Sequence, residues 1–395
     1  MAPSTAPPEV NTDKTVMGRP QTSKLISCWL AIRRVVDRGA GTDRFGLSRG
    51  CEDAASLSLL VSCTVSFPVS EARSRPRSCA LACPPPQQLR NLIDAELDGT
   101  RPDSAHSPIL LPCCYDGLTA RLVARAGFPA TFLTGFGVSA VHGYPDTQLV
   151  SYQEMQTTAT TVAEGLSRAA RELGTAAPIP CIADGDTGYG NALNVQRTVW
   201  GYARAGMAGI MLEDQVSPKR CGHVAGKSVL GVAAAVAKVR AACDARDAYG
   251  AQYGAGSGPL ILARTDALAT DGFEAAVERC LAFREAGADM TFLEAPESIE
   301  QMAEYCRRVD GPKLANMLEQ GSTPILSPAE LKQMGYTFAA YPLTLLSSSI
   351  RAMQEALLSI QQGKPTDDLI CSFGETKDVV GFSQYAQEEE RYRVD

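Results

Sequence analysis

Lys219, Arg220, Cys221 and His223 fall within five residues and place a thiol between two cations and an imidazole, with Gly222 beside them. Nearby positive charge lowers a thiol pKa and lets it exchange a proton near neutral pH. Cys221 therefore reads as an acid–base group. His223 reads either as a group that contacts a ligand or as a hydrogen-bonder within its loop. Asp184 and Asp186 form a second constellation. One residue apart, the two carboxylates can share one ion, and Gly185 and Gly188 let the backbone approach it. A turn-forming Asp-Gly cluster is the alternative. Glu213 favours the ion, because a rim carrying three acids without a cation repels itself. Only three histidines are present, His106, His142 and His223, which nearly excludes a multi-histidine metal site. Oxygen ligands suit magnesium, with manganese as the alternative. Arg264 ends an otherwise apolar run. Its fork fits a carboxylate ligand, or else an internal ion pair with Asp266 or Glu294.

These groups need a scaffold that brings distant segments together. Eight apolar runs read as strands: Ile109–Cys114, Ala130–Gly135, Ile179–Asp184, Gly209–Glu213, Leu260–Thr265, Met290–Glu294, Lys313–Met317 and Tyr336–Tyr341. A short amphipathic helix, Gln88–Leu97, precedes them. Between and after them, apolar residues recur three and four apart over Leu118–Ala126, Val195–Ala205, Val229–Ala248, Phe273–Ala286, Ile299–Val309, Pro328–Met334 and Leu345–Ile360, which predicts helices. Ala126-Gly127, Ala205-Gly206 and Ala286-Gly287 are placed to end helices. Eight strand–helix units predict an α/β fold, a (β/α)8 TIM barrel, whose active residues gather at the C-terminal strand ends. A doubly wound sheet is disfavoured because no Gly-rich dinucleotide turn follows the first strand. The aromatic tail from Asp367 to Asp395 predicts a helical extension that docks on something.

The 395 residues carry a net charge of −7. An acidic chain without Lys/Arg runs is a poor nucleic-acid binder. No apolar run reaches the roughly 18 residues of a membrane span. The 13 cysteines are odd in number, show no zinc-like spacing, and suit a reducing compartment. Residues 1–85 differ from the rest: they are rich in Ser, Pro, Ala and Cys, near +4, and lack periodicity. They read as a transit peptide, a signal-like segment or a wrongly placed start of translation. The expected organisation is a low-order extension over 1–85 and a barrel domain over 86–395. The expected location is intracellular, with plastid, mitochondrion and cytosol left open.

The motifs ADGDTGYGNALNVQRTV, GIMLEDQVSPKRCGH, ILARTDALA, FLEAPES and LANMLEQGSTP, in this order, closely resemble the isocitrate lyase and phosphoenolpyruvate mutase superfamily. Within it the chain looks most like the branch of 2-methylisocitrate lyases, petal-death-type dimethylmalate lyases and oxaloacetate hydrolases. The resemblance implies a last helix swapped onto a partner, giving a homotetramer built from dimers. It implies magnesium at Asp184 and Asp186, with Glu213 acting through water and Asp146 near the metal shell. Thr134, Gly135 and Phe136 would lie at a substrate-binding turn. Lys219 to His223, Gly222 included, would form a mobile gating loop, with Arg264, Glu294 and Asn316 lining the substrate site. The implied reaction splits a carbon–carbon bond of a small carboxylic acid. Cys221 is then the general acid, and Lys219, Arg220 and His223 hold charge and tune the thiol. Two departures bear on the substrate. Thr-Gly-Phe replaces the Ser-Gly-Gly turn of methylisocitrate lyases, and no arginine follows Tyr341-Pro342-Leu343 before Arg351. Both point to a dicarboxylate, such as 2,3-dimethylmalate or oxaloacetate, over a tricarboxylate. The alternatives are 2-methylisocitrate cleavage, a phosphonate P–C bond enzyme, and a non-catalytic barrel kept for binding or assembly.

Overall fold

Each of the eight apolar runs forms a strand: β1 Ile109–Cys114, β2 Thr131–Leu133, β3 Cys181–Asp184, β4 Gly209–Glu213, β5 Leu260–Thr265, β6 Met290–Leu293, β7 Leu314–Asn316 and β8 Phe338–Tyr341. The computed structural model describes residues 83–222 and 226–394. The expected N-terminal extension lies almost wholly outside the described residues, and so does His223. The strands pair in parallel in the order β6-β5-β4-β3-β2-β1-β8-β7. A parallel bridge between Thr291 and Lys313 joins the two ends, so the sheet rolls into a nearly closed barrel.

The helices among the described residues are α1 Pro85–Leu97, α2 Gly117–Arg125, α3 Gly135–Val141, α4 Tyr152–Leu173, α5 Ala192–Arg204, α6 Val232–Tyr253 and α7 Leu268–Asp271. They continue with α8 Phe273–Glu285, α9 Ile299–Arg308, α10 Pro328–Met334, α11 Thr344–Gln361, α12 Phe373–Val380 and α13 Phe382–Arg391. Alternation with strands is what the periodicity predicts. Gly127, Gly206 and Gly287 take φ of 83°, 87° and 102° after their helices, a region a Cβ disfavours. The chain adds helices the periodicity does not show. The 22-residue α4 carries Thr157, Thr158, Thr160 and Thr161 on its exposed side, and these β-branched residues obscure its helical character. Its legible signal is the Ser151–Glu154 capping box, whose two reciprocal bonds both form.

Two layers of core follow from the strand period. Ile109, Leu111, Phe132, Ile182, Leu262 and Phe338 fill the barrel interior. Cys114, Leu133, Ala183, Ile210 and Leu212 face outward onto the helices. Helix α1 closes the lower end: Leu89 is fully buried and Ile93 nearly so, within the same cluster as the strand starts. Burial of one such side chain contributes about 1.5–3 kcal/mol.

The tail is helical, as the aromatic spacing suggests. Helix α12 is held against α2, where the Arg121 Nε–H donates to the Val379 carbonyl at 2.9 Å and Arg125 pairs with Asp378. Helix α11 differs, because Leu346 is its one buried residue. Met353 and Leu357 are 56% and 65% exposed, with Leu358 and Ile360 beside them.

Candidate active site

At the end of β2 the strand stops at Leu133, and Thr134 becomes the N-cap of α3, its hydroxyl accepting from the Gly137 N–H at 3.4 Å. The next residue, Gly135, turns its N–H toward the end of β3 and donates to Asp184 Oδ2 at 3.2 Å. A Cβ at Gly135 would stand 2.6 Å from that oxygen, so only glycine permits this approach.

Beyond β3 the chain folds tightly around its own acids. The Asp186 N–H donates to Asp184 Oδ1 at 2.9 Å, and Asp186 itself takes φ of 45°. Aspartate tolerates this left-handed region better than most residues. Burial, and then the neighbouring Asp186 charge, push the Asp184 carboxyl up to about 6, against the pull of Lys219. The Tyr202 hydroxyl donates to the Asp184 carbonyl at 3.0 Å and fixes the strand end from behind.

The carboxylate pair that ends β4 divides. Asp214 turns into the barrel wall, accepting from Thr265 Oγ1 at 2.6 Å, from the Asp266 N–H at 2.9 Å and from Arg279 at 3.2 Å. Glu213 turns toward Arg264, 3.4 Å away, and its Oε1 is buried without a hydrogen-bond partner. Burial raises the Glu213 carboxyl well above the usual range, although Arg264 and Lys219 oppose it.

The loop after β4 then returns over these acids. The Lys219 ammonium is buried, 2.5 Å from Asp146 Oδ1 and 3.2 Å from Asp186 Oδ1. Burial disfavours its charge, but the four carboxylates Asp186, Glu213, Asp146 and Asp184 outweigh that and hold the lysine well above its ordinary pKa. Asp146 is raised by burial despite this partner. Cys221 and Gly222 follow on the same loop. A Cβ at Gly222 would overlap Glu294 and Arg264, which shows how closely the loop packs on β5 and β6.

Arg264 makes the internal ion pair that its sequence context allows. Its Nε and Nη2 donate to the two Asp266 oxygens at 2.9 and 3.0 Å, and Glu294 lies 3.5 Å from Nη2. This bidentate lock, with three carboxylates around it, holds the guanidinium well above its usual value in spite of its burial. Arg264 also lines the pocket, so the ion pair and the expected contact with a substrate carboxylate are not exclusive.

One pocket at the C-terminal strand ends is lined by Thr134, Phe136, Asp146, Asp184, Lys219, Cys221, Gly222, Arg264, Glu294 and Asn316. Gly135, Asp186 and Glu213 stand directly behind this lining. Arg220 lies at the outer mouth, where its N–H donates to Gln215 Oε1 at 3.0 Å. The wall near β8 is apolar, made by Leu318, Pro342 and Leu343. Arg351 is far from it in character, with a side chain 83% exposed and paired with Glu355 at 3.1 Å.

A divalent ion must be matched against these donors. Among the described residues, no three carboxylate, thiol or imidazole groups converge as a ready-made cage. A hard ion of the magnesium type needs none: it keeps several waters and takes one or two protein carboxylates. Asp186 Oδ1 and Glu213 Oε1, buried and accepting no hydrogen bond, suit that role, and Lys219 shows that the spot attracts positive charge. Asp184 and Asp186, with Glu213 and Asp146 around them, therefore form a donor set that could hold magnesium.

Asp266, weighed above as a partner of Arg264, takes that place. Three residues that the sequence analysis passes over also belong to this assembly. The Lys227 ammonium pairs with Asp266 at 3.2 Å and donates to the Gly222 carbonyl. Gln215 holds Arg220, and Gln148 holds Lys219. Lys227, a further cation four residues past His223 opposite an acidic rim, is the one with a legible signal. The glutamines are neutral and unmarked.

Comparison with known proteins places this arrangement. The phosphoenolpyruvate phosphomutase family model matches residues 103–361. The chain is 39% identical to 2,3-dimethylmalate lyase of Eubacterium barkeri over 293 residues, which is 73% of this chain and 95% of that one. A crystal structure of 2,3-dimethylmalate lyase superposes with a TM-score of 0.68 at 35% identity, covering 78% of this chain and 95% of the other. Oxaloacetate acetylhydrolase in complex with 3,3-difluorooxalacetate superposes with a TM-score of 0.68 at 32% identity, covering 78% and 96%.

Proposed function

The chain belongs to the phosphoenolpyruvate phosphomutase family, within the PEP mutase/isocitrate lyase superfamily, and on that premise we propose a magnesium-dependent carbon–carbon lyase or hydrolase of small 2-hydroxy or 2-oxo dicarboxylic acids. 2,3-Dimethylmalate and oxaloacetate are the leading substrates. The observation that carries this choice is the apolar wall of Leu318, Pro342 and Leu343, which offers a third carboxylate no cation among the described residues. A carboxylate left there without a partner would pay a desolvation penalty of several kcal/mol.

Asp184 and Asp186 would hold magnesium, which supplies Lewis-acid stabilisation of negative charge on the 2-oxygen and its adjacent carboxylate. The chain's own residues do the rest. Lys219, charged and fixed between Asp146 and Asp186, keeps the acids ionised beside the substrate. Cys221 faces the same pocket and donates the proton to the carbon freed when the bond breaks. Phe136 lines the pocket from α3 and narrows its access to bulk water. Arg264, its fork locked by Asp266, acts as a fixed positive surface with Glu294 and Asn316 around it. The bared apolar face of α11 supports a homotetramer, a dimer of dimers with this helix exchanged between subunits.

The test is turnover of 2,3-dimethylmalate, oxaloacetate, 2-methylisocitrate and phosphonopyruvate by the purified full chain with magnesium, followed by proton and phosphorus NMR. Cleavage of either dicarboxylate is the expected result. Cleavage of 2-methylisocitrate alone would refute the argument from the apolar wall, and turnover of phosphonopyruvate alone would move the chain to the P–C branch.

A further inference from the structure

Gln148 occupies the left-handed region, with φ of 59°. Glutamine has no special tolerance for this region, where its Cβ crowds the following carbonyl. A strained backbone persists where the surroundings over-determine it, and such positions gather at functional sites. The surroundings here are three hydrogen bonds from one side-chain amide. Its Nε2–H donates to Thr187 Oγ1 at 2.8 Å, on the loop that carries Asp184 and Asp186. Its Oε1 accepts from Ser217 Oγ at 2.8 Å and from the Lys219 N–H at 3.2 Å, both on the loop that carries Cys221. Gln148 thus joins the two loops that flank the pocket.

The spacing sharpens the role. Asp146, two residues earlier, holds the Lys219 ammonium, while Gln148 holds the Lys219 backbone. The segment 146–148 therefore grips one lysine at both ends. Two residues beyond Lys219 is Cys221, so the setting of the Gln148 amide fixes the thiol relative to the acids.

We propose that Gln148 is a positioning residue of the site: its side-chain amide registers the Ser217–Gly222 segment onto the Asp184–Gly190 loop and thereby places Lys219 and Cys221. The proposal builds on the proposed catalytic use of those two residues, but the registration itself exists whatever acid the protein turns over.

Limited trypsin digestion of the full chain tests it, with mass spectrometry counting cleavage after Lys219 and Arg220 against cleavage after the exposed Arg391. Gln148→Gly removes the amide and also the backbone strain, and thermal unfolding checks that it folds. Gln148→Leu keeps the bulk without the bonds. Loss of two hydrogen bonds to the loop is expected to raise cleavage at Lys219 and Arg220 by about tenfold in both variants, relative to Arg391. Gln148→Glu keeps the acceptor for Ser217 and Lys219 and is expected to restore protection. For the acid that is turned over, kcat is expected to fall more than KM changes in the glycine variant. Equal cleavage of wild type and Gln148→Gly would overturn the proposal. Increased cleavage in a protein that turns over none of the acids would support the registration and sink the catalytic reading instead.

Discussion

Replacing Gly135 by alanine separates metal binding from folding. The added Cβ would lie 2.6 Å from Asp184 Oδ2 and 3.0 Å from its carboxyl carbon. Gly135 is not in the left-handed region, so alanine brings no backbone strain, and the whole effect passes through Asp184. That carboxylate cannot simply rotate, because its other oxygen accepts from the Asp186 N–H at 2.9 Å. It must retreat by roughly half an ångström, and displacements of this order at a reacting centre cost about tenfold or more. Overpacking costs about 1–3 kcal/mol, part of which the better helix propensity of alanine offsets. Gly137→Ala on the same helix is the control, since its Cβ would meet Tyr115 and Thr134 at 2.7 and 2.8 Å, away from the acids. Manganese binding read by electron paramagnetic resonance, beside thermal unfolding, gives both quantities. Gly135→Ala is expected to lose about tenfold or more in affinity with a small change in Tm, and Gly137→Ala the reverse. Unchanged manganese affinity in Gly135→Ala would show that Asp184 does not hold the ion.

Three further outcomes are expected. Cys221→Ser lowers kcat by about two to four orders of magnitude while manganese affinity stays within about twofold, which steady-state kinetics and the same titration read together. Arg351→Ala leaves KM for the dicarboxylates within about twofold, because the side chain is exposed and held by Glu355 rather than by substrate. Leu357→Glu with Met353→Lys on α11 lowers the molar mass measured by light scattering and leaves the circular dichroism of the barrel in place, since both residues are already more than half exposed in the single chain.

How much of this is legible in the sequence differs by residue. The eight strands are legible because buried parallel strands are continuously apolar, and their ends name the rim that Asp184, Glu213, Arg264 and Glu294 share. Strand lengths are less so: Thr134 looks like strand but caps α3, and Pro178 and Pro180 delay β3 to Cys181. The division of Glu213 from Asp214 follows from the period of two, which sends neighbours to opposite faces. Which face meets the pocket depends on Thr265 and Arg279, more than fifty residues away. Arg264 is read correctly as needing a partner, while the bidentate pairing with Asp266 is a matter of side-chain geometry. Gln148 is invisible for a similar reason. A neutral amide reveals its use only through the three bonds it makes.

The side chains that fill the barrel, with Leu89 and Ile93 of α1 closing its lower end, make it a cup rather than a pipe. Whatever enters over Phe136 and Cys221 must leave the same way. For a reaction that divides one acid into two, the fragment nearer the mouth departs first, and the deeper one is released last. The last to leave then competes with fresh substrate for the empty enzyme, whereas the first does not. For the proposed lyase reaction, the closed floor thus predicts a kinetic order, readable as one competitive and one noncompetitive product inhibitor.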